Sequence, residues 1–348
     1  RASRATANGD RAGDSFAFKN DTGGNRTMYA ADFKWPNDAN IAVVFNISWE
    51  TLPTSYATPE SDQKGQQRPP ATAKYARGMR WIYENAFAET GGMQRLLDLW
   101  RRHDIRTSIY CDGITVELYP ELARQAVADG HEFLVQGWDH SFLWTMTPEE
   151  QAENIDRTIE AFDRVLGIRA KGFSCAGGHL TPETFPIIAD RGFIYSCGLR
   201  NAEVPFIIPV GDRKIVGMTS YDVSDTRSLG GSDRTPREVI NIWRDFFDQL
   251  YEEGERGYPK MLAYGTHPPL AMAYRLRPLE ELLRYVKSRP KVWITTRGEI
   301  AEWMLENYPD HDLSKFYPEA TASDRFYGLN IGLGGEEAKA EAMRHRRG

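Results

Sequence analysis

Short apolar runs rich in β-branched residues alternate with amphipathic helical runs from residue 35 to residue 307. This alternation constrains the fold more than any other feature of the chain. A strand, then a helix, then a strand implies parallel pairing, because the helix carries the chain back to the edge where it started. The spacing predicts strands at 41–47, 106–110, 132–136, 169–174, 194–197, 214–218, 261–264 and 292–295. It predicts helices over 91–102, 120–128, 147–166, 235–254, 277–288 and 297–307. Thr147-Pro-Glu-Glu reads as an N-cap, a proline at the first helical position and acids in the first turn, and Gly167 stops that helix. Thr181-Pro-Glu-Thr repeats the signal and predicts another helix start. No linker interrupts the series. The expectation is one closed or nearly closed barrel over 35–307, preceded by a polar arm (1–34) and followed by a polar extension (308–348).

Composition narrows the function. The 348 residues are 41% hydrophobic and 26% charged, ordinary for a globular chain. Net charge is 43 − 49 = −6, so the chain as a whole lacks the basic footprint of a nucleic-acid binder. No apolar run reaches the roughly 18 residues of a membrane span. Cys111, Cys175 and Cys197 are too few for a disulfide framework and fit a reducing compartment. A cytoplasmic location is the expectation, and a presequence removed in processing is compatible with it.

In a parallel β/α barrel, reactive side chains stand where strands end and loops begin. Applied to the predicted strands, that rule selects Glu50, Asp112, Asp139, His140, His179 and His267, with Cys175 in the same strand-end segment as His179. Each has a plainer reading. His140 could pack under Trp138 and Trp144, Glu50 could be a solvated loop acid, and Cys175 could be a small residue in the tight turn at Gly177-Gly178. The chemical readings are Glu50 or His140 as general base and His267 as general acid on the opposite wall. Amides of the 175–178 turn would hold an oxyanion. Alternatively, Cys175 attacks covalently with His179 or His140 as its base. Gln136, Asp112, Ser174, His179 and the tryptophans Trp49 and Trp138 would bind substrate. His103, His311 and His345 are expected at the surface. Gly91-Gly92 and Gly230-Gly231 lack the strand-to-helix setting of a phosphate loop.

These motifs resemble the polysaccharide deacetylase (NodB homology) superfamily, and within it the branch of PuuE-type allantoinases. Lys34-Trp35-Pro36 ahead of the first strand, Trp49-Glu50, Gly130-His-Glu132, Gly137-Trp138, Leu180-Thr-Pro-Glu-Thr184, Gly192-Phe-Ile-Tyr195, Tyr251-Glu-Glu-Gly254 and Gly265-Thr-His-Pro268 carry the resemblance in order. It implies a distorted (β/α)7 barrel over roughly 33–305. Metal-dependent members use an Asp base, a second Asp and two histidines on a metal, an Arg that tunes the base, and a late His acid. Here the Asp positions fall at about Asn46 and Ser48, the first His at Gln136 and the Arg at Ser174. Only His140 and the late His267 remain.

The resemblance therefore implies a hydrolase of a non-peptide C–N bond, in a cyclic amide, a ureide or an acylated amine. No cofactor is expected, and His140 is the one residue left to hold a divalent metal such as zinc. The alternatives are a metal-dependent N-acetyl sugar or polysaccharide deacetylase with a degenerate site, and a catalytically inactive barrel kept for binding. A small-molecule substrate and a homo-oligomer, tetramer or dimer, complete the expectation.

Overall fold

A computed structural model describes residues 33–50, 83, 86–199, 203–220, 223–225 and 234–311. Most of the predicted arm and extension lies outside these residues, as do Gly230-Gly231 and His345.

The sheet is organised around β1 (Ile41–Trp49), which is buried along its whole length. A strand covered on both faces reads as continuous apolar sequence, as this one does. One edge of β1 pairs with β9 (Lys260–Thr266) through residues 41–47. Its other edge is shared. β10 (Val292–Thr295) takes residues 41–44, and β2 (Ser108–Asp112) takes 46–49. From β2 the ladder continues through β3 (Glu132–Gly137), β4 (Gly172–Phe173) and β5 (Tyr195–Cys197) to β7 (Arg213–Met218). On the far side, β8 (Val223–Ser224) adds to β9. These pairings are parallel, and no ladder joins β8 to β7 among the described residues. The sheet thus curls into an incompletely closed barrel, and the expected distorted β/α barrel is the fold observed.

The helices follow the capping signals closely. Along α1 (Met93–Arg102), Leu96, Leu97, Leu99 and Trp100 are buried. After β2 and β3 come α2 (Gly113–Leu118), α3 (Pro120–Ala128) and α4 (Pro148–Leu166). In α4, Thr147 and Glu150 form a reciprocal capping box, and Gly167 ends the helix at φ 66°, a conformation glycine adopts without strain. Thr235 and Thr296 cap α6 (Pro236–Glu255) and α8 (Arg297–Asn307) in the same way.

Four local readings are corrected. Thr181 does not cap the next helix, α5 (Thr184–Asp190). Its hydroxyl and that of Thr184 both donate to Oε1 of buried Gln151, at 3.1 and 2.9 Å. Helix α7 (Ala273–Lys287) begins earlier than 277 and contains Pro278. An antiparallel strand, β6 (Phe206–Val210), pairs with β7 across a turn at Gly211, whose φ is 61°. Nor are two of the histidines at the surface. His311 is buried 5.4 Å from the Phe33 ring, and His103 is half-buried against Glu280 at 2.9 Å.

Gly92 is a point of backbone contact rather than a phosphate loop. A Cβ there would sit 1.9 Å from the carbonyl oxygen of Pro268, the residue after His267. The start of α1 is thereby seated on the loop that ends β9. A Cβ at Gly91 would meet only the Phe87 side chain, at 3.0 Å. Gly92→Ala should cost about 1–3 kcal/mol through this overpacking, and Gly91→Ala clearly less. Urea denaturation of the two variants checks the contrast.

Candidate active site

Parallel strands end on one face of a barrel, and the chemistry collects there. Glu50 follows β1, Asp112 ends β2, Gln136 lies near the end of β3, His140 sits in the loop after it, and His267 follows β9. Since β9 is the direct neighbour of β1, His267 stands beside Glu50, not on an opposite wall.

Glu50 is the centre of the cluster. Its Oε1 accepts from Ser48 Oγ at 2.5 Å and from Gln136 Nε2 at 3.1 Å. Its Oε2 lies 3.6 Å from His140 Nε2, and its side chain keeps 18% of its exposure. Burial alone would raise its pKa, but His140, His267 and the two hydrogen bonds outweigh burial and hold the carboxyl below the ordinary 4.5. His140 lies between acids. Its Nδ1 is 3.6 Å from Asp112 Oδ2, and Asp139 is its neighbour in the chain. Burial opposes its charge, yet Glu50 and Asp112 prevail and raise its pKa to about 9.

His267 is held by a residue the sequence did not single out. Asp225 accepts from the His267 backbone N–H at 2.7 Å through Oδ2 and meets Nδ1 at 2.6 Å through Oδ1. With Nδ1 against Asp225, a proton given to a substrate would come from Nε2. Burial lowers the His267 pKa, while Asp225 and Glu50 raise it, and the net shift is upward. Asp225 lies within a stretch, 222–234, that has no regular pattern to place it.

The other candidates do not converge on this group. Cys175 is 2% exposed, and burial pushes its thiol pKa far up, which disfavours a thiolate nucleophile. His179, its proposed base, stacks instead on Trp144 with ring centroids 3.6 Å apart. In the 175–178 turn, the Gly178 N–H already donates to Cys175 O, as does that of His179 to Ala176 O. Trp49 and Asp112 are fully buried and Ser174 nearly so. Trp138 is clamped between α4 and α2. The Arg157 guanidinium lies 3.5 Å over its ring, and a Cβ on Gly113 would reach it at 2.7 Å.

The residues at the superfamily's metal positions do not fit a divalent cation. Asn46 Oδ1 accepts from Arg297 Nε at 3.0 Å, and its Nδ2 donates to Tyr264 O at 2.9 Å. Ser48 and Gln136 both donate to Glu50. Among the described residues, no three His, Cys, Asp or Glu side chains form a metal-holding group. Arg297 itself is fully buried and also donates to the carbonyls of Thr219, at 2.6 Å, and Ser220. The sequence carried a signal for it, because a cation in the first turn of a helix opposes the helix dipole and needs another reason to be there.

Residues 84–196 match the family model for polysaccharide deacetylase. A Schizosaccharomyces pombe protein named as a polysaccharide deacetylase is 24% identical over 304 residues, covering 79% of this chain and 93% of its own. A peptidoglycan deacetylase of Helicobacter pylori is 24% identical over 262 residues, 66% of this chain and 88% of its own. Among solved structures, the Puue allantoinase superposes with a TM-score of 0.67 at 24% identity, over 79% of this chain and 93% of that one. A polysaccharide deacetylase structure from Mycobacterium smegmatis gives 0.68 at 23% identity, over 81% and 96%. At these identities the solved structures establish the fold. The resemblance to the polysaccharide deacetylase superfamily and its allantoinase-like branch, drawn from the motifs, is found by these comparisons too.

All three cysteines are free and buried. A thiol reagent such as DTNB should find no fast-reacting thiol in the native protein and three after denaturation in guanidinium. One fast thiol in the native state would return Cys175 to the list of nucleophiles.

Proposed function

We propose, from the polysaccharide deacetylase resemblance as premise, that the chain hydrolyses a non-peptide C–N bond in a cyclic amide, a ureide or an acylated amine, with no step through a metal. The observation that carries this is the placement of Glu50 and His267 at the ends of adjacent strands, one shifted toward the carboxylate and the other toward the imidazolium. Those are the protonation states that a base and an acid need before the reaction starts.

In this mechanism Glu50 takes a proton from water as the water oxygen bonds to the carbonyl carbon. Charge develops on the carbonyl oxygen, and the His140 imidazolium beside Glu50 stabilises it. The C–N bond then breaks, with its electron pair and a proton from His267 Nε2 going to the leaving nitrogen. Products are a carboxylic acid and an N–H group, an amine from an acylated amine and an amide or ureido group from an imide or ureide, and they remain one molecule when the substrate is a ring. Glu50 and His267 then exchange protons with solvent to reset. The names of the relatives favour an acylated amino sugar and that of the allantoinase favours a ureide. Both are attacked at the same kind of bond. Against an inactive barrel stands the intact base and acid pair.

The test is a hydrolysis panel of allantoin, hydantoin, dihydrouracil, glutarimide, acetylated aryl amines and N-acetylglucosamine oligomers, read by mass spectrometry with and without EDTA. Turnover that EDTA leaves unchanged is expected. EDTA-sensitive deacetylation would place a metal beside His140 and overturn the metal-free route. On whichever substrate turns over, Glu50→Gln and His267→Ala should each lower kcat/KM by about 10²–10⁴.

The pH profile follows from the shifts. Glu50 must be ionised, so activity falls on the acid side below 4.5, where its lowered pKa lies. His267 must be protonated, so activity falls on the alkaline side above 6.5, where its raised pKa lies. The expected kcat/KM profile is a bell with limbs outside those two values. A single alkaline-rising limb near neutrality would instead make a neutral histidine the base.

A further inference from the structure

We propose that Asp112 is a positioning residue. Its buried carboxylate, set against Nδ1 of His140, holds that ring with Nε2 turned toward Glu50. The consequence for turnover rests on the function proposed above, while the contact itself stands apart from it.

Four observations carry the assignment. First, the imidazole spans two acids from two strands, with Nδ1 3.6 Å from Asp112 Oδ2 and Nε2 3.6 Å from Glu50 Oε2. A ring held at both nitrogens by opposite charge cannot turn over without losing both contacts.

Second, Asp112 gives up the work its backbone position offers. It is the N-cap of α2, with φ −78° and ψ 147°, and aspartate is among the preferred residues there because its oxygen accepts from the first helical amides. Here the side chain makes no capping bond.

Third, the carboxylate is fully buried, with His140 Nδ1 3.6 Å from Oδ2. Burial at this depth removes it from direct substrate contact. It also makes an unpaired charge very costly, so a neighbouring cation must offset it. The titratable groups facing His140 are Glu50 from β1, Asp112 from β2, Asp139 from its own loop and His267 from β9. For Asp112 the acids in that set repel, and His140 attracts. Burial raises the Asp112 pKa to about 6, while the charge of His140 opposes that rise.

Fourth, the backbone is built to deliver the ring. His140 has φ 61°, a left-handed conformation that a side-chain-bearing residue adopts at a cost. The loop before it is pinned. Trp138 O accepts from Ile114 N at 2.9 Å, and Trp138 N donates to Asn154 Oδ1 at 3.0 Å. Ile114 lies in α2, which Asp112 begins, so acid and imidazole are positioned by one joint.

The experiment is histidine ring ¹⁵N NMR on wild type and Asp112→Asn, with His140 signals assigned through His140→Gln. The His140 deprotonation midpoint should fall by at least one pH unit in Asp112→Asn, while that of His267 stays in place. An unchanged His140 midpoint overturns the proposal. Urea denaturation provides an arm independent of the spectra. His140→Gln should lower the midpoint, and adding Asp112→Asn should raise it again, because the stranded charge is gone. If Asp112→Asn is as destabilising without His140 as with it, the two do not act through each other and the proposal fails. On a substrate that turns over, Asp112→Asn should lower kcat at least tenfold with KM within twofold. A raised KM at unchanged kcat would make Asp112 a substrate-binding residue and overturn the assignment. If no substrate turns over, the proposed reaction is in question, and the spectroscopic and denaturation arms still decide the role of Asp112.

Discussion

A single buried guanidinium holds the inside of this barrel together. Arg297 opens α8 and turns its side chain inward to Asn46 on β1 and to the carbonyls of Thr219 and Ser220 just past β7. Its backbone N–H donates to Ser108 Oγ on β2, and the next amide, of Gly298, donates to Glu132 on β3. Glu132 also accepts from Tyr195 on β5. One connected polar network therefore reaches five strands in a region otherwise filled with apolar side chains. A buried charge is tolerated only when its donors are satisfied, and breaking such a network leaves groups stranded at a cost of about 3–5 kcal/mol.

That network also decides what the site above it can be. Asn46 is spoken for by Arg297 and by the Tyr264 carbonyl, so neither end of its amide is left for a metal or a proton. Charge in the site is balanced by side chains instead. Two imidazole groups stand among the acids Glu50, Asp112, Asp139 and Asp225, and the carboxylates outweigh burial to keep both histidines protonated more readily than usual. The same pairings hold Glu50 ionised. Opposite charges on neighbouring side chains each favour the other's charged form.

Much of the fold was legible in the chain. The strand and helix periods, the Thr-Pro-Glu-Glu cap and Gly167 mark elements whose bounds the structure reproduces closely, because caps and periodicity are local interactions. Hairpin β6–β7 was missed, since Phe206–Val210 carries Pro209 and gains its strand character from pairing with β7. The start of α5 was misread because Gln151, 30 residues earlier, captures the hydroxyl that would have capped it. Glu50, His140 and His267 came from one rule, that strand ends gather on one face. Asp225 also stands at a strand end, just after β8, but that two-residue strand comes from pairing with β9 and carries no sequence signal of its own.

The sequence by itself determined the alternating elements, the barrel class and the family resemblance, which sets Asn46, Ser48 and Gln136 where metal-dependent members carry ligands. Only the tertiary structure decided which side chains are sealed, which face one another and which charge each carries. It set Asp112 against Nδ1 of His140, put His267 on the strand beside Glu50, and buried Cys175 while stacking His179 on Trp144. The physical reason is that burial and electrostatic pairing depend on distances across strands far apart in sequence. Composition and periodicity report which residues are present, while a pKa depends on what surrounds them in space.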